Sequence, residues 1–457
     1  MQKYFIQTFG CQMNYSDTER METYIEALGY KKTAKMDDAD VIIFNTCSIR
    51  QNAENRVFGM VPQIIKLRKK NKKLMIAIAG CMGRISSSRY STKRDKLFNM
   101  ISELDIVVRS EEMQKLASLI REIDPKSKIK AIKEEKLEDY FMINPKHASK
   151  AQAFLPVSIG CDKFCTYCIV PFSRGREKSR DIDDILNEAR TIADKGYKEI
   201  TLVGQTVNSY GLSVADRKNK HFQNLYKQNK KPFVYLLEEL DKLRARGLNR
   251  VRFTSPHPKD MSDDLINAMA RLPVLMPYLH LPVQSGDDKV LRRMNRTYTI
   301  KQYKEIIKKI RKKIPDIAIS TDIIVGFCGE TEKEFKNSHK LFEELEFEHC
   351  YFSQYSERKG TFAAKNMEDN VTEKVKKERW DAINKLLKKI STEKLKRFKG
   401  RTVEVIVEEW AKGICIGRSE HYKIVEFPGP KSLIGALVSI KITETKEWVL
   451  RGGLSPD

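Results

Sequence analysis

The first three apolar runs in the chain, YFIQTFGC, DVIIFNTC and LMIAIAGC, each end on a cysteine, and amphipathic stretches of helical length separate them. Short strand-type runs alternating with helices leave few folds open, because strands joined by helical crossovers pair in parallel and are covered on both faces. Residues 1–120 therefore read as an open parallel α/β domain. Its first helix is expected over SDTERMETYIEALGY, with Ser16 or Asp17 as N-cap. In open α/β sheets ligands gather beyond the carboxyl ends of the strands. Cys11, Cys47 and Cys81 are thus expected to meet at one edge, although 36 and 34 residues separate them.

A charged, poorly patterned segment follows, and residues 121–146 read as a linker with room for one strand. A second strand-and-helix series then begins: AFLPVSIGC, EITLVGQTV, RVRFTSPHP, YLHLPVQSG, AISTDIIVGF and CYFSQYS are strands with amphipathic helices between them. Over 147–380 this pattern predicts a partial (β/α)6 barrel whose polar strand ends SPHP, PVQSG and VGFCGET line the active face. The polar stretch 208–232 reads as a surface insertion. Residues 372–400 form a lysine-rich amphipathic helix. Five short strands with Gly and Pro at their turns follow, giving a small OB-like β-barrel over 394–457, an architecture that often grips nucleic acid. A purely structural appendix is the other reading.

Lys and Arg total 85 against 61 Asp and Glu, a formal charge of +24. Such an excess favours a polyanionic partner, nucleic acid first, and fits a merely solvated lysine-rich surface as well. MQKYFIQTFGC lacks the basic-then-apolar pattern of a secretory signal, and no apolar run approaches the roughly 20 residues that span a bilayer. A cytoplasmic protein with no membrane partner is expected. Nine cysteines are too sparse and odd in number for a disulfide framework, which leaves reduced thiols acting as metal ligands.

The spacing in IGCDKFCTYCIV sharpens that expectation. Cys161, Cys165 and Cys168 form C-x3-C-x2-C with no fourth cysteine nearby. Zinc sites normally use paired C-x2-C elements, so three thiolates holding one [4Fe-4S] cluster with one iron left open is the better reading. CDKFCTYC, after a strand and at the start of a barrel, resembles the cluster loop of radical S-adenosylmethionine (SAM) enzymes. The resemblance implies the missing ligand: the amino and carboxylate groups of SAM chelate the open iron, and an electron from the cluster yields a 5′-deoxyadenosyl radical. It extends over almost the whole chain. TFGCQMNYSDTE, NTCSIR and AGCMG are similar to the amino-terminal domain of the methylthiotransferases. VPFSRGREKSR, LVGQTVNSYG, HLPVQSG, MNRTYT and VGFCGETE are similar to their radical domain, and the C-terminal barrel resembles a TRAM domain.

Membership of that family would give Cys11, Cys47 and Cys81 a second, sulfur-donating [4Fe-4S] cluster. One SAM would methylate sulfur held there, and another would yield the radical that takes hydrogen from carbon 2 of a modified adenine at tRNA position 37. TFGCQMN with NTCSIR resembles the branch acting on N6-dimethylallyladenosine. Branches acting on threonylcarbamoyladenosine or on a ribosomal-protein aspartate, which usually carry TLGC or SLGC, are the alternatives. Implied partners are the tRNA anticodon arm and an electron donor such as flavodoxin or ferredoxin, with the enzyme a monomer.

Among other residues, Tyr167 sits between two ligands, where it stacks near adenine or packs on the loop. Gln205, Asn208, Ser255, His280, Gln284, Ser285, Asp322 and Glu330 fall at expected strand ends and are candidates for SAM or substrate binding, or for turn capping. Arg174, Arg176 and Arg180 follow the cluster loop and are candidates for phosphate or cofactor carboxylate. Lys396, Arg397 and Lys399, at the end of the long helix, are candidates for tRNA contact. Cys328, Cys350 and Cys415 read as core residues. Two positions depart from the family pattern: Cys328 in GFCGE, and Lys359 before Gly360-Thr361, both where proline is usual.

Overall fold

A computed structural model describes residues 1–48, 51–88, 90–125 and 145–455. The chain forms two compact units. One comprises residues 1–148 with 159–162 and 168–184, and the other residues 149–158, 163–167 and 185–457.

In the first unit β1 (Lys3–Phe9), β2 (Val41–Thr46), β3 (Met75–Gly80) and β4 (Ile106–Val108) pair in parallel in that spatial order. Short edge strands flank them, Lys31–Lys32 in parallel on β1 and Tyr90–Ser91 antiparallel on β4. Every residue of β2 and β3 is buried, which is why VIIFNT and MIAIAG lack polar alternation. Ile42, Phe44, Ile76, Ile78 and Val107 pack with Val57, Ile64 and Leu67 of helix α2 (Gln51–Lys70). Helix α1 (Gln12–Ala27) has Cys11 as its N-cap residue, five residues before Ser16 and six before Asp17. The Asn14 side chain accepts the Cys11 N–H at 3.2 Å and serves the end that Ser16 and Asp17 were expected to cap; both of those are buried inside the helix. After α3 (Leu116–Ile123) most of the expected linker, residues 126–144, lies outside the described residues.

The second unit carries all six expected strands. β5 (Gln152–Pro156), β6 (Glu199–Val203) and β7 (Arg250–Phe253) form one parallel sheet with β6 at its centre. β8 (Tyr278–His280), β9 (Ala318–Val325) and β10 (His349–Gln354) form another, centred on β9. An isolated parallel bridge, Val251 to Leu275, stands where a continuous ladder would join β7 to β8. The expected surface insertion is exposed over most of 214–231 but anchored at its start and along one helix: Asn208, Ser209 and Tyr210 are buried, and helix Lys220–Lys227 turns Phe222 and Leu225 inward. Tyr210 and Phe222 meet edge to face.

Helix α4 (Glu373–Lys396), capped by the Thr372 hydroxyl, leads into a closed barrel of β11 (Thr402–Ala411), β12 (Ile414–Ser419), β13 (Ile424–Pro428), β14 (Leu437–Thr445) and β15 (Val449–Leu454). The barrel is fastened to β7 by two buried arginines. Arg250 donates to the carbonyls of Arg418 and Glu404, and Arg252 to those of Ser419 and Glu420. Tyr422 stacks on Tyr278 at 4.7 Å, and Arg252 and Arg418 both lie over its ring.

Candidate functional site

Cys47 and Cys81 follow directly on the last residues of β2 and β3, and Cys11 comes two residues after β1. The strands are adjacent, with Phe9 opposite Thr46 and Thr46 opposite Gly80, so the three cysteines leave the sheet at one level. Gly80 turns the chain toward Cys81 with φ +85°, and a Cβ there would stand 2.5 Å from Asn45 Oδ1. Asn45 is held in turn: its Nδ2 donates to the Asn14 carbonyl at 2.7 Å and its Oδ1 accepts from Asn14 Nδ2 at 3.1 Å. Cys47 and Cys81 are buried, and Cys11 is open to solvent.

The three thiols are coupled. Cys47 shares hydrogen bonds with both neighbours, which pushes its own thiol up and pulls Cys11 and Cys81 down, Cys11 to about 6. Arg174 adds to the lowering at both, and Ser110 Oγ lies 3.8 Å from the Cys81 sulfur. Thiolates are the form that ligates iron, so the surroundings favour the ligating state at Cys11 and Cys81. Among the described residues no three His, Cys, Asp or Glu side chains close around a single-ion position. What the sheet edge offers is three convergent thiols beside a buried cation, a donor set suited to a thiolate-bound iron–sulfur cluster with an open corner.

The C-x3-C-x2-C loop is fixed at several points. Gly160, φ +76°, lets the chain pass so near Arg176 that a Cβ would lie 2.1 Å from its carbonyl, and the Cys161 N–H donates to the Gly175 carbonyl. Asp162 accepts from Arg176 and from the Glu177 N–H. Cys165 is buried, and its sulfur accepts from Arg296 Nη1 at 3.6 Å. Thr166 donates through its N–H to the Met294 carbonyl and through its hydroxyl to that of Arg293. Tyr167 is half-buried, edge-on to Phe327 at 6.3 Å.

His280, Gln284 and Asp322 are brought together. His280 Nε2 lies 3.3 Å from Asp322 Oδ1, its Nδ1 2.8 Å from Ser320 Oγ, and the Gln284 N–H donates to the Asp322 carbonyl. Gln284 and Ser255 both adopt positive φ, +72° and +55°, strain of the kind that gathers at functional sites. Gln205 and Ser255 each stand two residues beyond the ends of the paired strands β6 and β7. Asn208, Ser285 and Glu330 are occupied otherwise. Asn208 clamps the backbone of His257, Ser285 Oγ accepts the Asp287 N–H, and Glu330 accepts from Arg379 and from the Gly326 N–H.

The arginines after the loop also differ from expectation. Arg174 is buried in an ion pair with Asp17 at 2.7 Å, beside Cys11 and Cys81, while Arg176 is spent on Asp162 and Arg180 is buried with Nη2 on the Asp184 carbonyl. Sequence reading missed Arg296, which lies within MNRTYT but whose neighbour Cys165 is 131 residues away, and likewise Asp17, Asn14 and Asn45. Cys328 and Cys415 are core residues and Cys350 is buried in β10. The turn at Lys359 forms without proline, and Thr361 caps the helix after it.

Three family models match: the radical SAM superfamily over residues 155–342, Uncharacterized protein family UPF0004 over 3–108, and the TRAM domain over 396–454. A tRNA-2-methylthio-N(6)-dimethylallyladenosine synthase of Thermoanaerobacter sp. (strain X514) is 43% identical, across 99% of this chain and 92% of its own. The protein of the same name from Bacillus subtilis (strain 168) is 41% identical, across 98% and 85%. Among solved structures, the radical SAM methyltransferase TsrM from Kitasatospora setae aligns with 78% of this chain and 75% of its own at a TM-score of 0.55 and 13% identity, a likeness of fold.

Proposed function

The chain belongs to the tRNA-2-methylthio-N(6)-dimethylallyladenosine synthase family, and on that premise we propose that Cys161, Cys165 and Cys168 hold its radical-generating [4Fe-4S] cluster while Cys11, Cys47 and Cys81 hold a second, sulfur-donating one. The activity is that of a radical SAM transferase converting N6-dimethylallyladenosine at tRNA position 37 to its 2-methylthio derivative. When bound, the clusters and SAM supply the radical and the sulfur by which the adenine C2–H is replaced. The name carried by the quoted relatives favours this branch over threonylcarbamoyladenosine or ribosomal-protein aspartate.

The protein's own residues hold and orient. Arg174 and the shared thiol hydrogen bonds keep Cys11 and Cys81 in the ligating form. Gly80 and the Asn14–Asn45 pair fix where Cys81 and Cys11 leave the sheet. Tyr167, Gln205, Ser255, His280, Gln284 and Asp322 are our candidates for binding SAM, and the His280–Asp322 contact fixes the imidazole for a polar ligand. We assign residues 1–120 to the sulfur-donating domain, 121–146 to a linker, 147–380 to the radical domain and 394–457 to the TRAM barrel. The barrel and the end of α4 would meet the tRNA anticodon arm, a flavodoxin or ferredoxin would deliver electrons, and the enzyme would work as a cytoplasmic monomer. No helix among the described residues is long and apolar enough to cross a membrane.

The observation that carries this reading is two separate sets of three cysteines, one at the ends of three adjacent parallel strands. Anaerobic reconstitution with iron and sulfide counting tests it. About eight irons per chain are expected, falling to about four when Cys161, Cys165 and Cys168 are all replaced by alanine. A variant that keeps all its iron would overturn the assignment.

A further inference from the structure

Each set of cysteines has one buried arginine beside it, and the two arginines differ in charge balance. Arg174 is matched: Asp17 lies 2.7 Å away and neither side chain is more than 3% exposed, so the pair next to Cys11 and Cys81 is neutral overall. Arg296 is not matched. It is 7% exposed, and its Nε donates to the Tyr298 hydroxyl at 2.9 Å, its Nη2 to the Pro282 carbonyl at 2.8 Å and its Nη1 to the Cys165 sulfur at 3.6 Å. Among the described residues it forms no ion pair with a carboxylate; its hydrogen-bond partners are the Tyr298 hydroxyl, the Pro282 carbonyl and the Cys165 sulfur. Guanidinium does not shed its proton in a protein, and a buried charge without a counter-charge is far less favourable than a paired one. With the cluster bound, the ligand sulfur of Cys165 would lie within hydrogen-bond reach of this charge.

We propose that Arg296 is a positioning residue that places an uncompensated positive charge on the radical-generating cluster and raises its reduction potential, whereas Asp17 cancels the corresponding charge of Arg174 at the sulfur-donating cluster. This rests on the cluster assignment above. Taking up one electron makes a cluster more negative, so a fixed cation and a hydrogen bond to a ligand sulfur both favour the reduced state. The electron comes from a donor of the flavodoxin or ferredoxin class, and no bond in the protein changes. Arg296 also joins MNRTYT to the HLPVQSG segment through Pro282, so one side chain couples loop position to cluster charge. The asymmetry favours electron entry at the cluster that needs it, with the sulfur-donating one left harder to reduce.

The test uses full-length protein carrying one cluster at a time, followed by electron paramagnetic resonance during a redox titration, without SAM or tRNA. With Cys11, Cys47 and Cys81 replaced by alanine, Arg296→Gln is expected to move the remaining midpoint to a more negative potential and to lower several-fold the fraction reduced at a fixed donor potential. Arg296→Lys, which keeps the charge, should restore most of that fraction. With Cys161, Cys165 and Cys168 replaced, Asp17→Asn should move the other midpoint upward. An Arg296→Gln protein with its iron intact and an unmoved midpoint, or Gln and Lys variants that shift alike, overturns the proposal. Should Arg296→Gln fail to hold iron, an unmoved or lowered midpoint in Asp17→Asn overturns it on its own. If the starting protein assembles no four-iron cluster on the second set of cysteines, the ligand assignment itself falls, and iron counting tells this apart from a failure of the charge argument.

Discussion

Arg293 grips Glu334 at two points, 3.0 and 2.8 Å, and its backbone carbonyl receives the Thr166 hydroxyl from the cysteine loop. The pair pulls the Glu334 carboxyl down to about 2 from an ordinary 4.5. A carboxylate whose folded value is depressed stabilises the fold fully above its unfolded value and loses that contribution as pH falls through the folded one. Glu334→Gln should therefore cost about 2 kcal/mol at pH 7. Denaturant titrations should find that difference shrinking between pH 4.5 and 2. Gly80→Ala is a sharper residue-scale test. The added Cβ would meet Asn45 Oδ1 at 2.5 Å in a left-handed backbone, so about four of about eight irons should be lost while the radical-generating cluster's spectrum stays intact. Cys11, Cys47, Cys81 and the C-x3-C-x2-C triplet were legible because cysteine spacing and strand ends are local signals. Arg174, Asp17 and Arg296 were not, because each acts on a partner more than a hundred residues away.

At the scale of elements, β2 and β3 were readable because strands buried on both faces carry unbroken apolar runs, and all six strands of the second series form at the runs that announced them. The start of α1 was misread because Ser16 and Asp17 look like caps, yet the helix had already begun after Cys11, two residues beyond β1. The insertion over 208–232 lies largely at the surface, as expected, but its polar composition hides the anchors Tyr210, Phe222 and Leu225, whose spacing is too irregular to show a buried face. Nothing in RVRF announced a clamp either. Arg252 pairs with buried Glu199 at 3.0 Å while reaching two carbonyls of the C-terminal barrel. Arg252→Ala would strand the Glu199 charge and should cost about 3–5 kcal/mol. Calorimetry should then resolve a separate transition for the barrel, which melts with the rest of its unit while the clamp holds.

At the scale of the molecule the charge of +24 predicts that tRNA affinity falls steeply with salt. Arg397 leaves the list of expected contacts, because it binds Glu348 at 2.9 Å and the Asp316 carbonyl. Its replacement should lower stability and leave the salt dependence alone. Lys396, held only by an exposed pair with Glu393, and exposed Lys399 stay available to phosphate. Replacing both with alanine should reduce the slope of log affinity against log salt by about 2.

The sequence by itself determined the strand-and-helix order, the closed C-terminal barrel, both sets of cysteines and the family, since each is written in local period, spacing or motif. Only the tertiary structure decided that the six-strand series divides into two three-stranded sheets, that Arg174 answers to Asp17, and that Arg296 lies against Cys165 with no carboxylate ion pair among the described residues. A buried charge is defined by what surrounds it, and those surroundings come from distant stretches of chain that only folding brings within hydrogen-bond reach.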